Sequence, residues 1–261
     1  YVGVSKIVEE LKPDYIFHLA AQSFVPLSWN APAVTLNTNI IGSLTMLEAV
    51  KCKSPYSVIQ LACSSEEYGL VHQDEVPITE NNPLRPLSPY GVSKVAVDLL
   101  GQQYYRSFDL RVIITRAFNH EGPRRGESFV TSSFAKQIAE MEVGKRELII
   151  RVGNLEAKRD FTDVRDMVKA YWLSVTKCSF GTPYNICSGV TTPIYSVLKT
   201  LLSFSTVKPE IQMELNRLRP SDVMILHGDS TRFRERTDWE PLIPFETTMK
   251  DLLDYWRAKV K

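Results

Sequence analysis

The sequence predicts an α/β protein in which a parallel sheet is flanked by helices, and three observations carry that prediction. Short apolar runs, Tyr15 to Ala21, Val58 to Ala62 and Leu110 to Arg116, read as strands and alternate with segments of helical pattern. The second run ends in Cys63-Ser64-Ser65-Glu66-Glu67-Tyr68-Gly69. An apolar strand that ends in hydroxyls and carboxylates places them at its C-terminal edge, where open α/β sheets bind ligands. The next helical pattern opens with Ser88-Pro89-Tyr90-Gly91-Val92-Ser93-Lys94, with Pro89 at a first-turn position and Ser88 as its cap.

Taken in order, the chain begins with a helix from Val4 to Lys12, followed by the strand from Tyr15 to Ala21. That strand ends in His18-Leu19-Ala20-Ala21-Gln22-Ser23, small residues that let a ligand approach the backbone. Asn37 to Gly42 opens a helix continuing through Leu44, Leu47, Ala49 and Val50, with Asn39 a polar residue near its start. The loop from Val71 to Pro89 is long enough to be functional. The Tyr90 helix runs to Phe108, with Val92, Ala96, Leu99, Leu100 and Tyr104 as its expected buried face. After the strand that ends at Arg116, Asp160 or Thr162 is expected to cap a helix burying Val168, Tyr171, Trp172 and Val175. Pro183 to Gly189 reads as a strand returning to the main sheet, Tyr195 to Phe204 as an amphipathic helix. The last helix, Phe245 to Trp256, should bury Leu252, Leu253 and Tyr255 or Trp256.

The 261 residues, 44% of them apolar, suffice for a sizeable core and one or two domains. A formal charge of +1 without a basic block argues against nucleic acid or an anionic membrane surface as partner. Cysteines at 52, 63, 178 and 187 form no Cys-x-x-Cys pair, so reduced thiols are expected, with neither a disulfide framework nor a zinc site. His120 has no second His or Cys at ligand spacing, and no metal is expected there. No run approaches the roughly 20 apolar residues of a membrane span, and no signal-peptide pattern opens the chain. A soluble, cytoplasmic protein is the expectation.

The chemistry concentrates between Cys63 and Lys94. Tyr90 and Lys94 are four apart and share a helix face. A cation beside a phenol stabilises phenolate and should lower the Tyr90 pKa towards neutrality. The other pair at this spacing, Tyr195 and Lys199, follows no strand-end hydroxyl and reads as a surface helix.

Ser-Ser-Glu-Glu-Tyr-Gly at a strand end, followed by Ser-Pro-Tyr-Gly-Val-Ser-Lys, resembles the extended short-chain dehydrogenase/reductase family, the NAD-dependent epimerases and dehydratases. The resemblance implies a Rossmann-like sheet, NADP or NAD as cofactor, and Ser64, Tyr90 and Lys94 as catalytic triad. It further implies that Leu19, Ala20, Ala21, Asn39, Tyr90, Lys94 and His120 hold or flank the cofactor, with Asn39 bracing the catalytic strand by hydrogen bonds, and that the protein is a homodimer or homotetramer. In this family a Gly-rich βαβ unit precedes the first strand seen here, and none of the 12 glycines forms such a turn. The expectation is that roughly 50 to 60 residues of a fuller protein are missing, together with the residue that selects NAD or NADP. A truncated cofactor-binding region is expected at 1–118 with 155–188, interleaved with a smaller C-terminal α/β substrate region at 119–154 with 189–261.

Phe118-Asn119-His120, then Gly-Pro-Arg-Arg-Gly and Phe-Val, resembles the branch acting on GDP-linked mannose derivatives. The resemblance implies Asn119 on sugar or phosphate, Arg124 and Arg125 on a diphosphate or a neighbouring subunit's loop, and Ser65 and Glu66 on the sugar. Arg159 and Arg219 match two arginines that grip the nucleotide diphosphate, each a fork suited to bidentate phosphate contacts. The expected activity is NAD(P)H-dependent reduction of the C4 ketone of GDP-4-keto-6-deoxy-D-mannose to GDP-D-rhamnose. The alternative is 4,6-dehydration of GDP-mannose, with Glu66 taking the C5 proton. Further alternatives are another nucleotide-sugar epimerase or dehydratase, or a nonenzymatic nucleotide-sugar binder.

Overall fold

The computed structural model describes residues 1–214 and 223–261. Along the chain, α1 (Val2–Leu11) leads to β1 (Tyr15–His18), and α2 (Val25–Asn30) and α3 (Pro32–Leu36) pass through a π-helical turn (Asn37–Ile41) into α4 (Gly42–Lys53). Then come β2 (Val58–Ser64), α5 (Pro89–Phe108), β3 (Val112–Ala117) and β4 (Asn119–Glu121). The middle of the chain forms α6 (Val130–Glu142), β5 (Ile149–Val152), β6 (Lys158–Asp163), α7 (Val164–Lys177) and β7 (Pro183–Ile186). The last part holds β8 (Thr191–Pro193), α8 (Ile194–Ser203), β9 (Glu210–Met213), β10 (Ile225–Leu226), α9 (Thr231–Thr237) and α10 (Phe245–Val260).

Among the described residues, four strands form the parallel sheet, in the order β1-β2-β3-β7. Parallel neighbours require crossovers, and here helices supply them and cover both faces. One face packs Leu47, Val50, Leu61, Val97 and Leu110 of α4, β2, α5 and the approach to β3. The other packs Ile113 and Ile186 against Met167, Ala170 and Val175 of α7, with Phe233 and Trp239 beneath. A second core joins α6, α8 and α10 through Phe134, Ile138, Val197, Leu201, Leu252 and Trp256. Around it β6 pairs with β4 and β10 in parallel and with β8 antiparallel, and β5 pairs with β9. The register Ser64 opposite Ala117 brings the ends of β2 and β3 level, and the site is built there.

Several local expectations change. β1 stops at His18, three residues short of Ala21. Asn37 to Gly42 lies inside a helical run already started at Pro32, so it continues a helix and does not open one. α5 has the expected start and end, and the Ser88 hydroxyl accepts a hydrogen bond from Gly91 N at 3.0 Å. Its buried face keeps Tyr104 but is otherwise different: Tyr90, Ser93, Lys94, Val97, Asp98 and Gly101 point inward with it, while Val92 and Leu99 are 46% and 53% exposed. Gly101 draws that face onto the sheet, since a Cβ there would lie 2.8 Å from the Leu61 Cδ1. The polar residues on it carry the site.

α7 is capped by Asp163, whose carboxylate accepts from Arg165 N at 2.8 Å, because β6 continues through Asp163 before the helix begins. Asp160 instead accepts from the Ser188 and Gly189 amides. The helix buries Tyr171 and Val175 as expected but leaves Val168 and Trp172 outside, where Trp172 meets Tyr15 edge-on at 5.4 Å. Tyr195 and Lys199 lie on the exposed face of α8. α10 buries Leu252, Leu253 and Trp256 and extends to Val260. All four cysteines are free thiols. Among the described residues no helix is long and apolar enough to cross a membrane.

Candidate active site

Ser64 ends β2 and caps the turn Ser65–Glu67. Its hydroxyl accepts from Glu66 N at 3.2 Å, and the Glu67 carboxyl accepts from Ser64 N at 2.8 Å. This reciprocal capping box satisfies backbone donors and fixes the Ser64 main chain. The first turn of α5 then closes onto it. A Cβ at Gly91 would lie 2.6 Å from the Glu66 carbonyl oxygen, so glycine is what lets the helix approach. Tyr90 is thereby placed beside Ser64, close enough for the hydroxyl to act on its phenol.

Lys94, one turn further on, is buried and donates from Nζ to the Ala62 carbonyl at 2.6 Å. Its Nζ lies 5.8 Å from the centre of the Tyr90 ring. Burial pushes the Tyr90 phenol well above its ordinary range, and the neighbouring Ser64 hydroxyl offsets only part of this. The expected lowering by Lys94 is therefore overturned: desolvation outweighs any effect of the ammonium, and burial pulls the Lys94 pKa down as well. Tyr90 keeps its proton and stands as a donor. Nearby, His18 bonds Ser43 Oγ at 2.9 Å and is held neutral, its pKa lowered to about 4 by burial and by Lys94.

These groups open into a cavity of about 750 Å³. Leu19, Ala21, Ser64, Ser65, Glu66, Tyr90 and Lys94 line it, and so do Asn119, His120, Arg125 and Arg159. The Arg125 guanidinium stacks on Phe129, 3.5 Å from the ring centre, with its Nε 3.5 Å from a Glu121 oxygen. Arg159 is buried and donates to the Lys158 carbonyl at 3.0 Å. The His120 Nδ1 bonds the Phe118 carbonyl at 3.0 Å, and burial lowers its pKa to about 4.

Three candidates stand elsewhere. Ala20 is exposed and does not line the cavity. Arg124 is exposed on a backbone turned to φ 75°, which directs the second arginine, Arg125, inward in its place. Asn39 is buried behind the wall: it accepts from Gln22 N at 2.8 Å and donates to the Gln22 carbonyl at 3.0 Å and to Ser93 Oγ at 2.8 Å. It ties the segment after β1 to α5. Arg219 lies outside the described residues.

Other groups escaped the sequence reading. Phe24 and Trp29, at the entrance to and within α2, line the cavity, with Phe24 edge-on to Phe129 at 5.8 Å and the buried Trp29 Nε1 without a partner. Glu121 accepts from Thr131 Oγ1 at 2.6 Å, and burial raises its pKa. Behind Ser64, Arg116 pairs with Asp98 at 2.8 Å and reaches Glu67 at 3.5 Å and the Tyr68 hydroxyl at 3.1 Å. A charged residue closing an apolar strand was the available signal for Arg116; nothing local marked Glu67 as fully buried.

A family model described as GDP-mannose 4,6 dehydratase matches residues 2–252. The chain is 34% identical over 249 residues to a GDP-6-deoxy-D-mannose reductase from Pseudomonas aeruginosa, covering 95% of this chain and 82% of that protein. It is 30% identical over 268 residues to the GDP-mannose 4,6 dehydratase of Homo sapiens, covering 95% and 71%. Among solved structures, RMD from Pseudomonas aeruginosa complexed with NADPH superposes with a TM-score of 0.91 at 32% identity, covering 98% of this chain and 86% of the other. A UDP-glucose 4-epimerase from Thermus thermophilus in complex with NAD gives 0.88 at 26% identity, covering 98% and 82%. With a parallel sheet that ends in Ser64 and a helix that brings Tyr90 and Lys94 to it, the chain belongs to the GDP-mannose 4,6-dehydratase family, a branch of the extended short-chain dehydrogenase/reductases.

Proposed function

We propose that this protein reduces the C4 ketone of GDP-4-keto-6-deoxy-D-mannose to give GDP-D-rhamnose, using NADPH or NADH. The observation that carries the reading is the single cavity shared by Ser64, Tyr90 and Lys94 on one side and Asn119, Arg125 and Arg159 on the other. The similarity to a GDP-6-deoxy-D-mannose reductase supports the choice of substrate.

The wall suits a nicotinamide cofactor at its ribose end. Leu19 and Ala21 leave the backbone approachable, and Lys94, with one donor given to Ala62, has others for a ribose diol. When bound, the nicotinamide supplies the hydride to C4. Tyr90, kept protonated by burial, gives its phenolic proton to the oxygen that becomes the alcohol. Ser64 hydrogen-bonds that oxygen as charge develops on it, held by its capping box so that little reorganisation is needed. Lys94 then stabilises the phenolate left behind, and Arg125 and Arg159 offer planar forks to the diphosphate. Val92 and Leu99, exposed on α5, support a homodimer formed through this helix.

Glu66 favours a second reading. It lines the same cavity as Tyr90, where a carboxylate is placed to take a C5 proton in dehydration of GDP-mannose. One experiment separates the two: the protein is given GDP-mannose with NADP, and GDP-4-keto-6-deoxymannose with NADPH or NADH, and products are weighed by mass spectrometry. Gain of two hydrogens by the keto sugar is the expected result. Loss of water from GDP-mannose would replace the reductase reading with the dehydratase.

A further inference from the structure

Behind the cavity, three ionisable groups crowd where one cation can balance one anion. Glu67 and Asp98 are both fully buried, and their oxygens and the Cys63 sulfur approach within 4.8 Å of one another. The cation among them is Arg116, its Nε 2.8 Å from Asp98 Oδ2 and 3.5 Å from Glu67 Oε2. Asp98 also accepts from Gln102 at 2.6 Å, and Glu67 Oε1 accepts from Ser64 N at 2.8 Å. Glu67 Oε2 is buried without a hydrogen-bond partner. As a carboxylate it would be a buried charge beside another carboxylate, with the arginine nearer to Asp98 than to it; as a carboxylic acid it has an O–H to turn towards Asp98.

We propose that Glu67 and Asp98 share one proton, and that Glu67, as the acid partner, is a positioning residue that holds Ser64 in place. In this arrangement Arg116 pairs with Asp98 at 2.8 Å, and Glu67 spends its other oxygen on the Ser64 amide. Ser64 in turn lies beside Tyr90 and acts on its phenol, so a charge appearing on Glu67 reaches Tyr90 through one residue. The other ionisable groups facing Glu67 are Cys63 on β2, Tyr68 after the turn, and Lys94 and Tyr90 on α5. Cys63 is kept neutral by burial, as are Tyr68 and Tyr90, and Lys94 opposes the shift. Burial first, then Asp98, raises the Glu67 pKa from 4.5 to about 8.

A consequence follows for stability. The folded chain holds this proton across a range of pH in which the unfolded chain has lost it, so folding takes up a proton between the two values. Stability therefore falls as pH rises from about 4.5 towards 8 and levels off above. The role for Ser64 rests on the proposed function; the shared proton does not.

The test compares thermal unfolding of the full chain and of Glu67→Gln and Asp98→Asn at about pH 5.5 and about pH 8.5. Each substitution removes one of the two competing acids, so each should flatten the fall in Tm by several degrees relative to wild type. Asp98→Asn stands in if Glu67→Gln does not fold, because Arg116 then pairs with Glu67. The kinetic arm follows kcat between about pH 7 and about pH 9, where Glu67→Gln should lose several-fold less of its rate than wild type. A wild-type slope retained in both variants would overturn the shared proton. A flattened slope with an unchanged kcat profile would overturn the positioning role. Full activity in Ser64→Ala would break the reading of Ser64 and that role with it, while the Tm slope would still decide the shared proton.

Discussion

The two walls of the cavity are built differently. On one, Ser64, Tyr90 and Lys94 come from a strand end and the first turns of a helix, buried, capped and held by main-chain contacts such as Lys94 to Ala62. On the other, Asn119, Arg125 and Arg159 reach in from β4, the loop after it and β6, and Arg125 keeps its place by lying on Phe129. The first wall is closely packed at Gly91 and Lys94. The second presents two arginine forks, which under the proposed function would meet the diphosphate. Groups that meet a reacting atom need sub-ångström placement, whereas groups that grip a charged handle tolerate movement.

The comparison breaks most sharply at Tyr90. Tyr90→Phe removes the donor but none of the packing, so turnover should fall about a thousandfold or more while Tm stays within a few degrees. Retained turnover in a purified variant would remove Tyr90 from the mechanism. Gly91→Ala tests the rigidity of the first wall. Inside a helix this change usually stabilises by about 1 kcal/mol. Here the methyl meets the Glu66 carbonyl at 2.6 Å, so the variant should instead lose about 1–3 kcal/mol and about a hundredfold in kcat as Tyr90 is displaced. A stabilised, fully active Gly91→Ala protein would show that the wall can give.

The smallest effects belong to the second wall. Arg125→Ala should raise KM for the nucleotide sugar about tenfold to a hundredfold with kcat changed far less, as expected for uniform binding. Arg124→Ala, in the exposed neighbouring position, should change KM less than about twofold. Equal effects at the two arginines would contradict the inward placement of Arg125 alone.

Much of the first wall is legible in the sequence. Ser64, Pro89, Tyr90 and Lys94 announce themselves because strand ends, first-turn prolines and i,i+4 pairs are local geometry, readable within a few residues. The buried face of α5 was not legible. Val92 and Leu99 make the more apolar stripe, yet the sheet receives Ser93, Lys94, Asp98 and Gly101, because Arg116 on a distant strand partners Asp98 and Gly101 permits close approach. Likewise Glu67 reads as one more polar residue after a strand, and its burial depends on β3 and α5 closing over it.

The sequence by itself determined the four strands of the main sheet, the cap of α5 and the identity of the groups at the end of β2, since each follows from neighbouring residues. Only the tertiary structure decided which arginine of the pair faces the cavity, that Asn39 ties the loop after β1 to α5, and that Tyr90 keeps its proton. The physical reason is that direction and desolvation belong to the whole packed environment. A lysine one helical turn away lowers a phenol's pKa in water-like surroundings, but the same lysine, buried and bonded to Ala62, leaves burial to set the outcome.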